Sequence, residues 1–254
     1  MHRIGEEKVT VMNQPYKRPP ITEAVIEFRP KQPLDIRLIS KAEAKFRKNY
    51  PLSQNFSTMG VRVNPAMQSA DVHQEYVGHR LCTNDQTDIL TITTASFAVA
   101  RLAPYPGWDV FRKRAEEDWH QWKSIVGSHQ LNRIGIRYIN RIDIPVEPTK
   151  KIDLDEYLKC FPELPNDSFK ALTHYAMQLV LPLEDNCQAI INTGSVPAPL
   201  LNHASFILDF DISREINLPQ RDDEIWNLID KIREYKNYIF EQCITDKARA
   251  LFNE

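Results

Sequence analysis

From Leu131 to Pro145 the sequence alternates almost without a break. Ile134, Ile136, Tyr138, Asn140, Ile142 and Ile144 fall on one side, and Arg133, Gly135, Arg137, Ile139, Arg141 and Asp143 on the other. Period two over so long a run predicts a strand with one buried face, so the chain must be built around a sheet. Residues 21–29 repeat the pattern, with Ala24, Ile26 and Phe28 opposed to Glu23, Val25 and Glu27.

The other elements follow from spacing and caps. Asp35 is placed to cap a helix in which Leu38, Ile39, Ala42 and Phe46 recur at helical spacing before Pro51. Strands are predicted at 69–80, 87–94 and 96–103. A helix over 108–126 carries Trp108, Phe111, Ala115, Trp119, Trp122 and Val126 on one stripe and ends at Gly127. After the strand 131–145, Asp153 is placed to cap a short helix through Lys159. Strands are predicted at 169–182, 187–193 and 203–213. A helix over 222–243 buries Ile225, Ile229, Ile232, Ile239 and Cys243, and Thr245 or Asp246 caps a last short helix.

Each half therefore reads strand, helix, three strands, helix. That order predicts an α+β fold with antiparallel sheet, two similar halves (20–126 and 127–254) packed as one rigid unit, and helices on one side. Residues 1–19 read as a polar lead-in.

Composition removes several functions. The chain has 32 Lys+Arg against 34 Asp+Glu in 254 residues, which gives no support to a nucleic-acid binder driven by charge. Its seven glycines lie at 5, 60, 78, 107, 127, 135 and 194, too far apart for a Walker A loop, a G-x-G-x-x-G turn or a G-x-S-x-G elbow. The four cysteines form no C-x-x-C. The longest charge-free apolar stretch, Ile89 to Ala100, is short and Thr-rich, so no membrane span is expected. His73 and His79 have no visible third ligand. Neither metal nor cofactor is expected, and a cytoplasmic location is.

Three motifs stand together: PPITEAVIEF at 19–28, RLAPYPGW at 101–108 and GIRYINRIDIP at 135–145, with ITDKARALF at 244–252. With them the chain resembles a sporadically distributed family of bacterial and archaeal proteins of similar size. The resemblance covers nearly the whole chain. It implies no activity and assigns no catalytic residue; the sporadic distribution suggests mobile or defence-associated genes.

The candidate chemistry centres on arginine. Arg137 and Arg141 share a strand face, about 13 Å apart at roughly 3.3 Å per residue. They either grip a phosphate or carboxylate as a fork or balance Glu23 and Glu27, which have the same spacing on the equivalent strand. Asp209 and Asp211, about 7 Å apart on one face of their strand, suit that arginine stripe better than a metal. Together these four carboxylates are the expected structural ion network. Asn140 on the apolar side of its strand must find partners and either pins a backbone group or orients a ligand. Arg101, Tyr105 and Trp108 around Pro104 and Pro106 either line a pocket or staple the helix to the sheet. The candidate binding residues are thus Arg101, Tyr105, Trp108, Arg137, Tyr138, Asn140 and Arg141. The leading reading is a non-catalytic binding or regulatory protein that recognises a protein partner or an anionic small molecule. The alternatives are an enzyme acting on a phosphate ester between the halves and a structural assembly subunit.

Overall fold

The computed structural model describes residues 16–64, 69–146, 152–163 and 174–253. In β1 (Ile21–Pro30) Ala24, Ile26 and Phe28 are fully buried, while Glu23, Val25 and Glu27 stand on the other face. Asp35 caps α1 (Ile36–Phe46) by accepting from the Arg37 amide at 2.8 Å. The chain then forms β2 (Leu52–Asn64), β3 (Ser69–Cys82), β4 (Asp88–Thr93) and β5 (Phe97–Leu102) before α2 (Trp108–Val126). The tryptophan stripe of α2 is buried as its spacing requires, and Gly127 closes the helix at φ 85°.

The second half opens with β6 (Leu131–Pro145). A short 3-10 helix (Leu154–Glu156) follows, then β7 (Ala176–Pro182), β8 (Cys187–Val196), β9 (His203–Arg214), α3 (Asp222–Cys243) and α4 (Asp246–Leu251). Thr245 caps α4 through the Ala248 amide.

The nine strands form one antiparallel sheet in the order β2-β3-β4-β5-β1-β6-β9-β8-β7. β1 pairs with β6 at its centre, so the two halves of the chain are joined by a backbone ladder. Outward from that pair the order is β5, β4, β3 on one side and β9, β8, β7 on the other.

α1, α2 and α3 pack on the face that carries the buried positions of each strand. Aromatic rings fill the space between. Phe28 stacks on Trp119 with centroids 4.1 Å apart, Trp119 stacks on Trp122 at 5.1 Å, and Trp226 of α3 meets Phe28 edge-on. Such contacts add to the burial of large rings, which dominates core energetics. The opposite face carries no helix among the described residues.

Three expectations need correction. β2 was not anticipated: its sequence, LSQNFSTMGVRVN, lies at the sheet edge, where exposure removes the need for apolar alternation. The helix expected from Asp153 to Lys159 is only a 3-10 turn without a side-chain cap, because the chain turns away to pair Leu158 with Ile244. Residues 16–19 are not a loose lead-in. The Tyr16 hydroxyl donates to Glu241 at 2.7 Å, its ring meets Phe240 and Phe252, and the Arg18 amide donates to the Phe252 carbonyl. The rest of the lead-in, residues 1–15, lies outside the described residues, as do the part of the strand expected at 169–182 that precedes residue 174 and the His73 side chain.

Candidate functional site

The backbone register of the open face sets out its side chains in rows. One row crosses the sheet as Cys82, Ile89, Ala100, Val25, Arg137, Asp211, Ile190 and Val180. It is apolar under the first half, where Cys82, Ile89 and Ala100 form a small buried cluster backed by Val25 and Leu102. It becomes charged where β1 gives way to β6 and β9.

In the charged region every arginine has a carboxylate. Arg137 donates from Nε and Nη2 to both oxygens of Asp209, at 2.8 and 2.7 Å. Asp209 also accepts from Asn192 Nδ2 at 3.1 Å, and Asn192 Oδ1 accepts from Gln178 at 2.7 Å. A side-chain relay thus runs over four strands, from β6 to β7. Arg133 donates to Glu27 and Asp211, both at 2.5 Å, and Glu27 pairs with Arg29 at 3.0 Å. Arg141 pairs within its own strand with Asp143, which also accepts from Ser205. Glu23 shares the face but makes no ion pair among the described residues.

Gly135 explains why a glycine interrupts the motif here. A Cβ at that position would lie 2.9 Å from Arg133 Nη1 and from Ser213 Cβ. The bare backbone leaves the channel through which the Arg133 guanidinium reaches Glu27 and Asp211. Arg133 is 7% exposed, so a charge with the carboxylates of Glu27, Asp211 and Glu215 around it is nearly buried on a face that carries no helix among the described residues. Arg137 and Arg141 keep side-chain exposures of 48% and 39%. Beside them lie the half-buried Ile139, Ile190 and Ile207.

The remaining expected residues lie on the helix-covered side, so the seven candidate binding residues do not form one site. Asn140 is buried and donates to the Leu208 carbonyl at 2.9 Å; it pins a backbone group. The Tyr138 and Tyr105 hydroxyls share a hydrogen bond of 2.9 Å, and burial raises the pKa of both phenols. Trp108 Nε1 donates to Asp230 of α3 at 3.0 Å, and Arg112 holds the same carboxylate. Arg101 donates to Asp88 and to the Pro104 carbonyl, fixing the turn before α2. Arg114 pairs with the same Asp88 at 2.7 Å and approaches Tyr50. Tyr50 in turn donates to Asp118, whose carboxyl is pushed up to about 6 by burial.

One buried group escaped the sequence reading. Lys236 continues the apolar stripe Ile229, Ile232, Ile239 and Cys243 of α3, and it is 7% exposed. Its Nζ lies 4.3 Å from the Tyr138 ring centroid. Burial, with Arg233 nearby, lowers its pKa to about 7. The signal was present in the sequence: position 236 is four after Ile232 and three before Ile239, so the helical period requires it to face inward.

A surface cavity of about 420 Å³ between the β8 end of the sheet and α3, lined by Asp185, Arg214, Asn217, Glu224 and Lys231, contains none of the expected site residues. Among the described residues no group of three His, Cys, Asp or Glu side chains is placed to hold a metal ion, and no helix is long and apolar enough to cross a membrane. Comparison of the sequence with models of protein families and with curated proteins found no match.

Proposed function

We propose that this chain is a binding protein that recognises a protein partner across the open face of its sheet, around Arg137 and Arg141. The observation that carries this reading is the relay from Gln178 through Asn192 and Asp209 to Arg137 on a face that no helix covers among the described residues. Prearranged charges lose little conformational entropy on binding. Exposed arginines among aliphatic side chains, here Ile139, Ile190 and Ile207, are a composition suited to an interface core.

A small anion is less well served. Arg29, Arg133, Arg137 and Arg141 share their surroundings with Glu23, Glu27, Asp143, Asp209, Asp211 and Glu215, so carboxylates outnumber guanidiniums. The test uses Arg141→Glu and Ile190→Asp as bait beside the parent chain in extracts of the native host. Both variants should melt close to the parent, and both should lose a protein that the parent retains and that cross-links to β6 or β8. Retention of that protein by both variants would remove the open face from its recognition.

We also infer that the halves arose by duplication. In each half a central strand is followed by strands that return to it as a meander and then by a long helix. β2 has no counterpart among the described residues of the second half. Superposing β1, β3–β5 and α2 on β6, β7–β9 and α3 is the check; strands that do not align in that order would remove the idea.

A further inference from the structure

The end of α3 is held by a segment far from it in sequence. The Lys159 amide donates to the Cys243 carbonyl at 2.8 Å, the Thr245 amide donates to the Tyr157 carbonyl at 3.1 Å, and Leu158 bridges Ile244 between them. The Thr245 hydroxyl adds a bond to the Glu156 carbonyl at 2.5 Å. This short ladder, with Leu158 opposite Ile244 and the Lys159 amide on the Cys243 carbonyl, places Cys160 next to Cys243, and each thiol perturbs the ionisation of the other. Cys243 is buried, whereas Cys160 is only half-buried. The other cysteines are elsewhere: Cys82 is on the open face beside Ile89, and Cys187 begins β8 opposite Arg214.

We propose that Cys160 and Cys243 form a redox-sensitive dithiol that closes to a disulfide by exchange with a low-molecular-weight disulfide such as oxidised glutathione. The accessible Cys160 attacks first. Its thiolate forms a bond to one glutathione sulfur and breaks the glutathione S–S bond, releasing one glutathione thiolate, which takes up a proton. Cys243 then loses its proton to solvent and attacks the Cys160 sulfur, forming the protein disulfide and releasing the second glutathione. Two protein thiols are oxidised and one glutathione disulfide is reduced to two thiols. The neighbouring Cys243 side chain lowers the Cys160 pKa to about 7, which favours the thiolate at the attacking position. Closure would join the 156–160 segment to the end of α3 across a long stretch of chain and restrain the unfolded state. This inference is independent of the partner-binding reading.

The test treats the full chain with increasing ratios of oxidised to reduced glutathione, blocks remaining thiols by alkylation and maps peptides without reduction. The parent should yield a Cys160–Cys243 cross-link, with Cys82 and Cys187 alkylated, and should melt at a higher temperature than its reduced form. Cys243→Ala should stop at a glutathione adduct on Cys160, because the resolving thiol is gone. Cys160→Ser should leave Cys243 alkylatable only after unfolding. Four reduced thiols in the oxidised parent, a cross-link that uses Cys82 or Cys187 instead, or a glutathione adduct on Cys243 in folded Cys160→Ser would overturn the proposal.

Discussion

The two faces of this sheet differ in how they treat their most buried charges. On the helix-covered face Arg101, Arg112 and Arg114 have carboxylate partners, whereas Asp118 and Lys236, which make no ion pair among the described residues, are shifted toward their neutral forms. Burial raises Asp118 to about 6 and lowers Lys236 to about 7. On the open face charge is kept and paired, even for the nearly buried Arg133 with Glu27 and Asp211. The same strands serve both faces. The lesson is that desolvation alone does not decide whether a charge survives; the availability of an opposite charge one strand away does.

The largest expected effect breaks the pairing on the open face. Arg133→Met leaves Glu27 and Asp211 facing each other across β6 without the guanidinium between them. Loss of one partner from a buried charge network costs about 3–5 kcal/mol, and urea unfolding should show it. A loss below about 1 kcal/mol would mean that this network behaves as an ordinary exposed one, and the contrast between the faces would vanish.

A smaller effect of opposite sign is expected on the covered face. The pKa of Lys236 in the folded chain is below its ordinary value of 10.5, so the unfolded chain binds the extra proton between about pH 7 and 10.5. Stability therefore rises with pH through that window. Asp118 is raised above its ordinary 3.8, so the folded chain holds the proton and stability falls as pH rises from about 4 to 6. Lys236→Met should stabilise the protein at neutral pH by about 1–4 kcal/mol and abolish the alkaline rise. Asp118→Asn should flatten the acid limb. Chemical denaturation at a series of pH values measures both; an unchanged alkaline limb in Lys236→Met would show that the amine is charged in the fold.

The smallest effect sharpens the comparison at one backbone position. Gly135→Ala introduces a methyl into the channel used by Arg133. Overpacking of this kind costs about 1–3 kcal/mol. In the Arg133→Met background the same change should cost less, because part of the obstruction is gone. Equal cost in both backgrounds would place the clash with Ser213 rather than with Arg133.

The sequence by itself determined most of the elements and the face on which each residue of β1, β6 and β9 stands. Period-two alternation leaves no choice about Ala24, Ile26 and Phe28, and 3.6-residue periodicity leaves none about Trp119 and Trp122. It also placed Arg133, Arg137, Asp209 and Asp211 on one side of their strands, because strand side is a local property. β2 was not legible, since an exposed edge strand needs no apolar pattern. Which strands are neighbours was decided only by the tertiary structure. That Arg137 meets Asp209 depends on β6 pairing with β9 in one register, and a shift of one residue would send the partner to the other face. Arg137 and Tyr138 are adjacent in the motif yet lie on opposite faces of the sheet, one among charges and the other beneath Lys236. The placing of Cys160 next to Cys243 is likewise beyond local pattern, because it rests on a turn that leaves its helix early to pair with the end of α3. Local periodicity fixes orientation; long-range hydrogen bonding and packing fix who the neighbour is.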